Sequence, residues 1–297
     1  MIALVAVTMT ALVLLTLSFS RFARSATWRA TVTPLASIIG SGFLICGPLL
    51  AREFGSAAIF AMALLLALAY AVGAVVRFNI IHVENHAKNL TFHDSFAWAM
   101  RAGQTMLAIA YAVSVAYYLK LLAEFILEAV HYPDVSRVFT AKVFVSVIIV
   151  ALTALTFSGS IRKIEHAAHA SVSIKLALIA GLLGGLGFWW ATGNGEVSTL
   201  PPARISWQSI PLLLGLLIAV QGFETSRYLG GSYDQHLRIR TMRLAQWISS
   251  AIYLVFLFLL TPLLRQASTS EGVAGILAIM TFVAPILGLF VLGAAVT

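Results

Sequence analysis

The sequence predicts an all-α polytopic membrane protein, and three observations carry that reading. Of its 297 residues 60% are hydrophobic and 10% charged, with a mean hydropathy of +0.96, whereas soluble domains carry roughly a quarter charged residues. The apolar runs are about 20 residues long, the length that crosses a bilayer as a helix. They also lack the strict alternation of a transmembrane barrel. The net charge of +8 and pI near 9.9 would suit a nucleic-acid binder. The basic residues instead gather in particular loops, as the positive-inside rule requires, so the expected partner is the lipid bilayer and no nucleic acid. A single cysteine, Cys46, excludes an intramolecular disulfide.

Taken in order, residues 2–19 are apolar without a basic leader and read as a retained N-terminal helix rather than a cleaved signal peptide. A loop with Arg21, Arg24 and Arg29 follows. The first core helix is expected over 33–50, with Pro34 in its first turn, where no amide partner is missing, and Pro48 as a kink near its far end. Arg52-Glu53-Phe54-Gly55 is a turn, and core helix two covers Ser56 to Val76. A polar loop with Arg77, His82, Glu84, His86 and Lys88 leads to core helix three, Ser95 to Ala129, long enough to be tilted. His131-Tyr132-Pro133-Asp134 ends it. Core helix four covers Phe139 to Phe157, and the loop Arg162-Lys163-Ile164-Glu165-His166 enters core helix five, 169–190. Trp189 and Trp190 suit an interfacial belt. Core helix six starts at Ser209 and breaks at Gly222, a basic loop spans 227–243, and core helix seven covers 244–263. The stretch 272–297, with Pro285, reads as a short external helix followed by half of a further span.

Loops 20–30, 77–94, 159–168 and 227–243 carry about a dozen Lys or Arg, against about six in the others. All four fall on one side if each segment crosses once. They are expected in the cytoplasm, the N-terminus outside, and the chain in a bacterial inner membrane. The sequence stops at Ala294-Ala295-Val296-Thr297 within apolar residues, which reads as a truncated chain.

Two interruptions of the apolar pattern concern function. Ile39-Gly40-Ser41-Gly42 lies inside the first core helix and Val220-Gln221-Gly222-Phe223 inside the sixth. Lipid offers a broken backbone no hydrogen bonds, so unwound chain at mid-depth must be buried in protein or line a cavity. Each stretch is therefore a packing notch, where small residues let helices approach, or a binding site. Paired interruptions at corresponding positions point to the substrate site of a secondary transporter. Free amides at Gly40, Ser41 and Gly42 suit a carboxylate, and free carbonyls at Val220, Gln221 and Gly222 suit an ammonium.

Ile38-Ile39-Gly40-Ser41-Gly42 followed by Pro48 resembles the first helix of the amino acid–polyamine–organocation (APC) superfamily, and Gly222-Phe223-Glu224 resembles the GFE of its sixth helix. The likeness covers roughly 31–297 and is strongest at the two breaks. It implies a LeuT-like inverted-repeat transporter with discontinuous core helices one and six. Its parts would be an extra helix and basic loop (1–30), a first five-helix repeat (31–190) and an incomplete second repeat (191–297). It also implies that Phe223 is a gate, that Glu224 responds to protons, and that Lys175 on the fifth helix stands where related transporters hold sodium.

The residues permit plainer readings as well. Burial disfavours the charged form of either group and lets it exchange protons, yet Glu224 could pair with Arg227 one turn on, and Lys175 could snorkel to the interface. At most one of the neighbours Tyr117 and Tyr118 faces the site, and packing accounts for either. Thr297 is a candidate ligand in a sodium-coupled alternative. His82, Glu84 and His86 read as a solvated loop rather than a metal site, His166 and His169 as a solvated helix end, and Gly181, Gly184 and Gly185 as a close-packing face. No phosphate loop, nucleophile elbow or zinc cluster is present, so no enzyme is expected. No metal and no cofactor beyond a coupling proton is expected. The expectation is a proton-coupled permease for an amino acid or related amine-bearing solute; the alternative is a non-transporting sensor or scaffold of the same fold.

Overall fold

The structure, a computed structural model, describes residues 1–84, 95–157, 161–194, 202–203, 206–207, 209–264 and 272–297. Among these, α-helices are joined by short 3₁₀ segments and no strand occurs. Helix α1 is Ile2–Phe19, α2 Ala26–Ile38, α3 Gly42–Phe54, α4 Ala58–His82, α5 Ser95–Ala129 and α6 Asp134–Phe157. Then come α7 Ile161–Trp189, α8 Ser209–Gly215, α9 Gln235–Leu260, α10 Gly272–Val283 and α11 Pro285–Val296. Among the described residues seven helical stretches are long and apolar enough to cross a membrane, so this is an integral membrane protein. One of them, Gly42–His82, has 41 residues, about 60 Å if straight, twice the hydrocarbon thickness. Gly55, with φ of +49°, folds it so that α4 packs back on α3.

The first core helix is broken as expected, into α2 and α3, but starts earlier than residue 33. The Ser25 side chain accepts the Trp28 amide and caps α2 at Ala26. Pro34 therefore sits inside the helix rather than in its first turn, and the carbonyl of Ala30 lacks its usual partner. Helix α7 begins at Ile161, so most of the expected loop 159–168 is helical. The basic segment 227–243 is not a loop either. Phe223–Gly231 is 3₁₀ helix and Asp234 caps α9 by accepting the Leu237 amide, which places Arg238, Arg240 and Arg243 on α9. Arg77 and His82 lie on α4 for the same reason: polar residues at a span's end remain within its backbone ladder. The helix expected to be external, α10, buries one face against α3 and α5.

At the end of α5, His131 takes a left-handed conformation (φ +52°). Its amide bonds to Glu128 O, and the Tyr132 amide reaches back to Leu127 O. This satisfies the helix's last carbonyls before Pro133 stops it.

The centre of the bundle is α3, buried on almost every side between α4, α9 and α10. At the periphery is α6, with none of its span buried. Helix α1 lies along α7. A methyl at Gly181 would lie 2.7 Å from Ala6 O, and one at Gly185 would lie 3.3 Å from Ala6 Cβ. The glycine face of α7 is thus the close-packing surface for α1. Helices α4 and α9 are joined by polar contacts. Arg77 Nη1 donates to Gln246 Oε1 at 2.6 Å, Gln246 Nε2 donates to Ala69 O, and Arg238 grips both Glu84 oxygens at 3.0 and 2.6 Å.

Arg238 is 5% exposed. Removing one partner of so buried a pair leaves an uncompensated charge. Arg238→Gln should therefore lower stability by about 3 kcal/mol, read as a fall in unfolding temperature in detergent, while exposed Arg240→Gln should change it little.

Candidate functional site

The two interruptions meet. Helix α2 ends at Ile38, Ile39 leaves helical geometry, and α3 resumes at Gly42. The amides of Ser41 and Gly42 open a new helix and have no preceding turn to bond to. In the sixth segment α8 tightens to 3₁₀ over Leu216–Ala219, unwinds at Val220–Gln221, and restarts at Phe223 behind Gly222, whose φ is +114°. A methyl on Gly222 would lie 2.5 and 2.6 Å from the Ser37 carbonyl carbon and oxygen. One on Gly42 would lie 3.4 Å from Ala219 Cβ. The breaks therefore touch backbone to backbone, and the second needs glycine for both space and handedness.

Two tyrosines from other helices tie the breaks together. Tyr118 of α5 lays its ring over Gly40 and Gly42, where added methyls would approach it to 2.8 and 3.1 Å, and its hydroxyl donates to Ile218 O at 2.7 Å. Tyr253 of α9 donates to Ala219 O and reaches Ile38 O at 3.2 Å, so one proton serves a carbonyl from each break. Phe43 packs edge-on against the buried Tyr253 ring, and Phe256 packs in turn against Phe43. Of the pair Tyr117 and Tyr118, it is thus Tyr118 that joins the breaks, while Tyr117 packs beside it with ring centroids 5.7 Å apart.

The remaining polar groups of the second break are also partly engaged. Gln221 donates to Ser114 Oγ. Glu224, 9% exposed, accepts the Gly222 amide at 2.9 Å, with Tyr111 of α5 beside it. Thr225 donates both amide and hydroxyl to Gly222 O. Two expectations change as a result. No ion pair joins Glu224 to Arg227; the carboxylate instead caps its own break, which is nearer than the next turn. The acceptors expected at Val220–Gly222 are partly taken, Gly222 O by Thr225, and the neighbouring carbonyls of Ile218 and Ala219 by the tyrosines.

Gln221, Phe223 and Glu224 line a cavity of about 210 Å³ facing α4 and α5. Ile39, Ser41 and Gly42 are buried and Gly40 is half-buried, with the Tyr118 ring over the two glycines, and none of the four lines that cavity. Lys175 lies on α7, half-buried, and no charged group among the described residues compensates it. It does not line the cavity beside the second break. Thr297 turns its hydroxyl back to Gly293 O while its carbonyl accepts Ser171 Oγ. No cluster of three or more metal-ligating side chains occurs among the described residues. His86 lies outside them, as do the side chains of His166 and His169.

Tyr253, Tyr111 and Ser114 are the contributors that sequence reading passes over. A signal for each was available. Tyr253 stands in the apolar half of its helix, and a buried tyrosine hydroxyl needs a partner. Tyr111, Ser114 and Tyr118 recur at i, i+3 and i+7, which places three hydroxyls on one face of α5.

Residues 20–297 match a family model described as "APC superfamily transporter". The chain is 35% identical over 244 residues to an uncharacterized protein of Aquifex aeolicus (strain VF5); the match covers 80% of this chain and 58% of that relative, so the chain spans little more than half the relative's length. No solved structure matches it.

Tyr253→Phe removes the proton shared between the breaks and leaves a buried carbonyl without a donor. It should cost about 1–3 kcal/mol in thermal unfolding. Gly222→Ala should cost about 2–4 kcal/mol, because the new methyl meets fixed backbone in a left-handed conformation. Gly40→Ala should cost less, since it meets only a tyrosine ring that can swing.

Proposed function

The chain belongs to the APC superfamily of transporters, and from that premise we propose that it is a secondary active permease for an amino acid or a related amine-bearing solute, coupled to protons and working by alternating access. The observation that carries this reading is the contact between two broken helices, Gly222 against Ser37, inside the apolar bundle. Backbone is broken at membrane depth only where the break is sheltered or used. Here it is sheltered by hydroxyls that can be exchanged for ligand groups without leaving any carbonyl bare.

In the proposed mechanism the amides of Ser41 and Gly42 take a carboxylate. Carbonyls of Val220 and Gln221, with Ile218 and Ala219 when the tyrosines swing away, take an ammonium. Ile39, Gly40 and Gly222 give the backbone room, and Phe223, buried at the cavity wall, closes over the solute. Lys175 and Glu224 serve proton coupling. Lys175 is a cation in an apolar span without a compensating charge among the described residues, and such a group is functional by default. Glu224 bonds the amide of the break itself, so a change in its protonation would be felt in the break's geometry. The proposal includes the LeuT-type inverted repeats, with cytoplasmic loops on the arginine-rich side and the N-terminus outside.

The test is uptake of radiolabelled amino acids and polyamines into proteoliposomes, with and without an inward proton gradient. Gradient-driven uptake is expected for the wild type, and at least a tenfold loss of the gradient's effect is expected for Lys175→Ala. Uptake that ignores the gradient and follows sodium would replace proton coupling by sodium coupling. No uptake of any amine-bearing solute would favour a scaffold.

A further inference from the structure

Two cavities meet on the side of the second break that faces α4 and α5. The inner one, about 210 Å³, has Gln221, Phe223, Glu224, Arg227, Asn79 and Leu107 in its wall. The outer one, about 400 Å³, shares Asn79, Leu107 and Arg227 with it and runs past Gly103 to Val83 and Phe96, where α4 ends and α5 begins. The second break therefore communicates with one end of the bundle, and Asn79, Leu107 and Arg227 form the neck.

The charges in this space are unusual for an apolar bundle. The Glu224 carboxylate is buried, accepts the Gly222 amide with one oxygen, and has the Tyr111 side chain beside it. Arg227 lines both cavities. Its backbone carbonyl receives Arg238, but among the described residues its guanidinium has no hydrogen-bond or ion-pair partner. The buried Glu224 and the half-buried, cationic Arg227 thus line one void, three residues apart in sequence, without forming an ion pair. Separated opposite charges in a low-dielectric space favour an occupant with the complementary dipole, because each buried charge is costly until paired. The inner volume equals roughly seven waters at about 30 Å³ each, room for a small α-amino acid. Gln221 and Asn79 add amide groups that can bond either end.

We infer that the inner cavity is a binding station for a small zwitterionic amino acid, distinct from the contact between the breaks, with Arg227 holding the carboxylate and Glu224 the ammonium. The inference rests on the transporter reading and deepens it. It names the substrate class, a route between α4 and α5, and Arg227 as the residue that selects for a carboxylate at the neck.

The test is equilibrium binding of radiolabelled alanine to the purified protein, with competition by alaninamide, which keeps the ammonium and lacks the carboxylate. Wild type should prefer alanine at least tenfold. Arg227→Gln should weaken alanine binding at least tenfold and alaninamide binding little, and Arg227→Lys should recover most of the loss. Leu107→Trp fills the neck without removing a charge and should also abolish alanine binding, which keeps the test available if Arg227→Gln does not fold. Gly103→Leu, which meets open space, should slow association several-fold and leave affinity unchanged. Alanine bound by a folded Arg227→Gln or Leu107→Trp as tightly as by wild type would overturn the station and leave the transporter reading standing. So would a wild type that binds only large amino acids. Failure of the wild type to bind any amine-bearing solute would overturn both.

Discussion

In hydrocarbon each unsatisfied backbone group costs several kcal/mol, and this chain interrupts two of its helices in the middle of their apolar spans. Everything near the centre of the bundle answers that constraint. The carbonyls released by the sixth-segment break accept the hydroxyls of Tyr118 and Tyr253, the Gly222 amide is taken by Glu224, and Gly222 O is taken by Thr225. The donors arrive from α5 and α9, so those helices must pack against both breaks. Phe43, itself backed by Phe256, then holds Tyr253 in place. A side chain that satisfies a carbonyl by a single hydroxyl differs from a helix ladder in one respect relevant to transport: it can be replaced by a ligand group through a rotation of one ring.

The rigid and the adjustable parts of the bundle are divided accordingly. Helix α4, with Glu84 just past its end, is joined to α9 by Arg77–Gln246 and Glu84–Arg238, and both arginines are buried. Helix α1 is seated on a glycine face of α7, where α7 itself contributes no Cβ. Between these fixed pairs the second break packs on the Ser37 backbone at Gly222, is held by side-chain hydrogen bonds, and borders a cavity on the side of α4 and α5. Moving the break costs that packing contact and a few hydrogen bonds, each worth about 1 kcal/mol net.

Much of the architecture was legible in the sequence because membrane helices report themselves by length and hydropathy. Core helix three was read as Ser95–Ala129 and forms over those residues; both breaks were read from glycines inside apolar runs. The boundaries differ where polar residues suggest loops. Ser25 and Asp234 are caps, and a capped helix carries arginines on its first turns, so the segments after Arg21 and Arg227 are largely helical. The candidate site was legible in its glycines, which announce themselves by type. It was not legible in Tyr253, whose role depends on which helix faces the breaks, a relation that one-dimensional spacing does not contain. Glu224 illustrates the same limit. Its nearest partner in helical spacing is Arg227, but the break changes the local geometry and the Gly222 amide takes its place.

The central claim is that the two breaks form one site that opens to one side of the membrane at a time. It is tested most directly by thiol labelling of Ser41→Cys, a small change at a buried position of the first break, with the one native cysteine, Cys46, replaced by serine. Membrane-impermeant reagent would be applied from each side of oriented vesicles, with and without an amino acid and a proton gradient. The account predicts that Cys reactivity is confined to one side in a given condition, shifts sides when the gradient is reversed, and falls when solute is bound. Reactivity from both sides at once would describe an open channel, and reactivity indifferent to solute and gradient would describe a static scaffold; either result would contradict it.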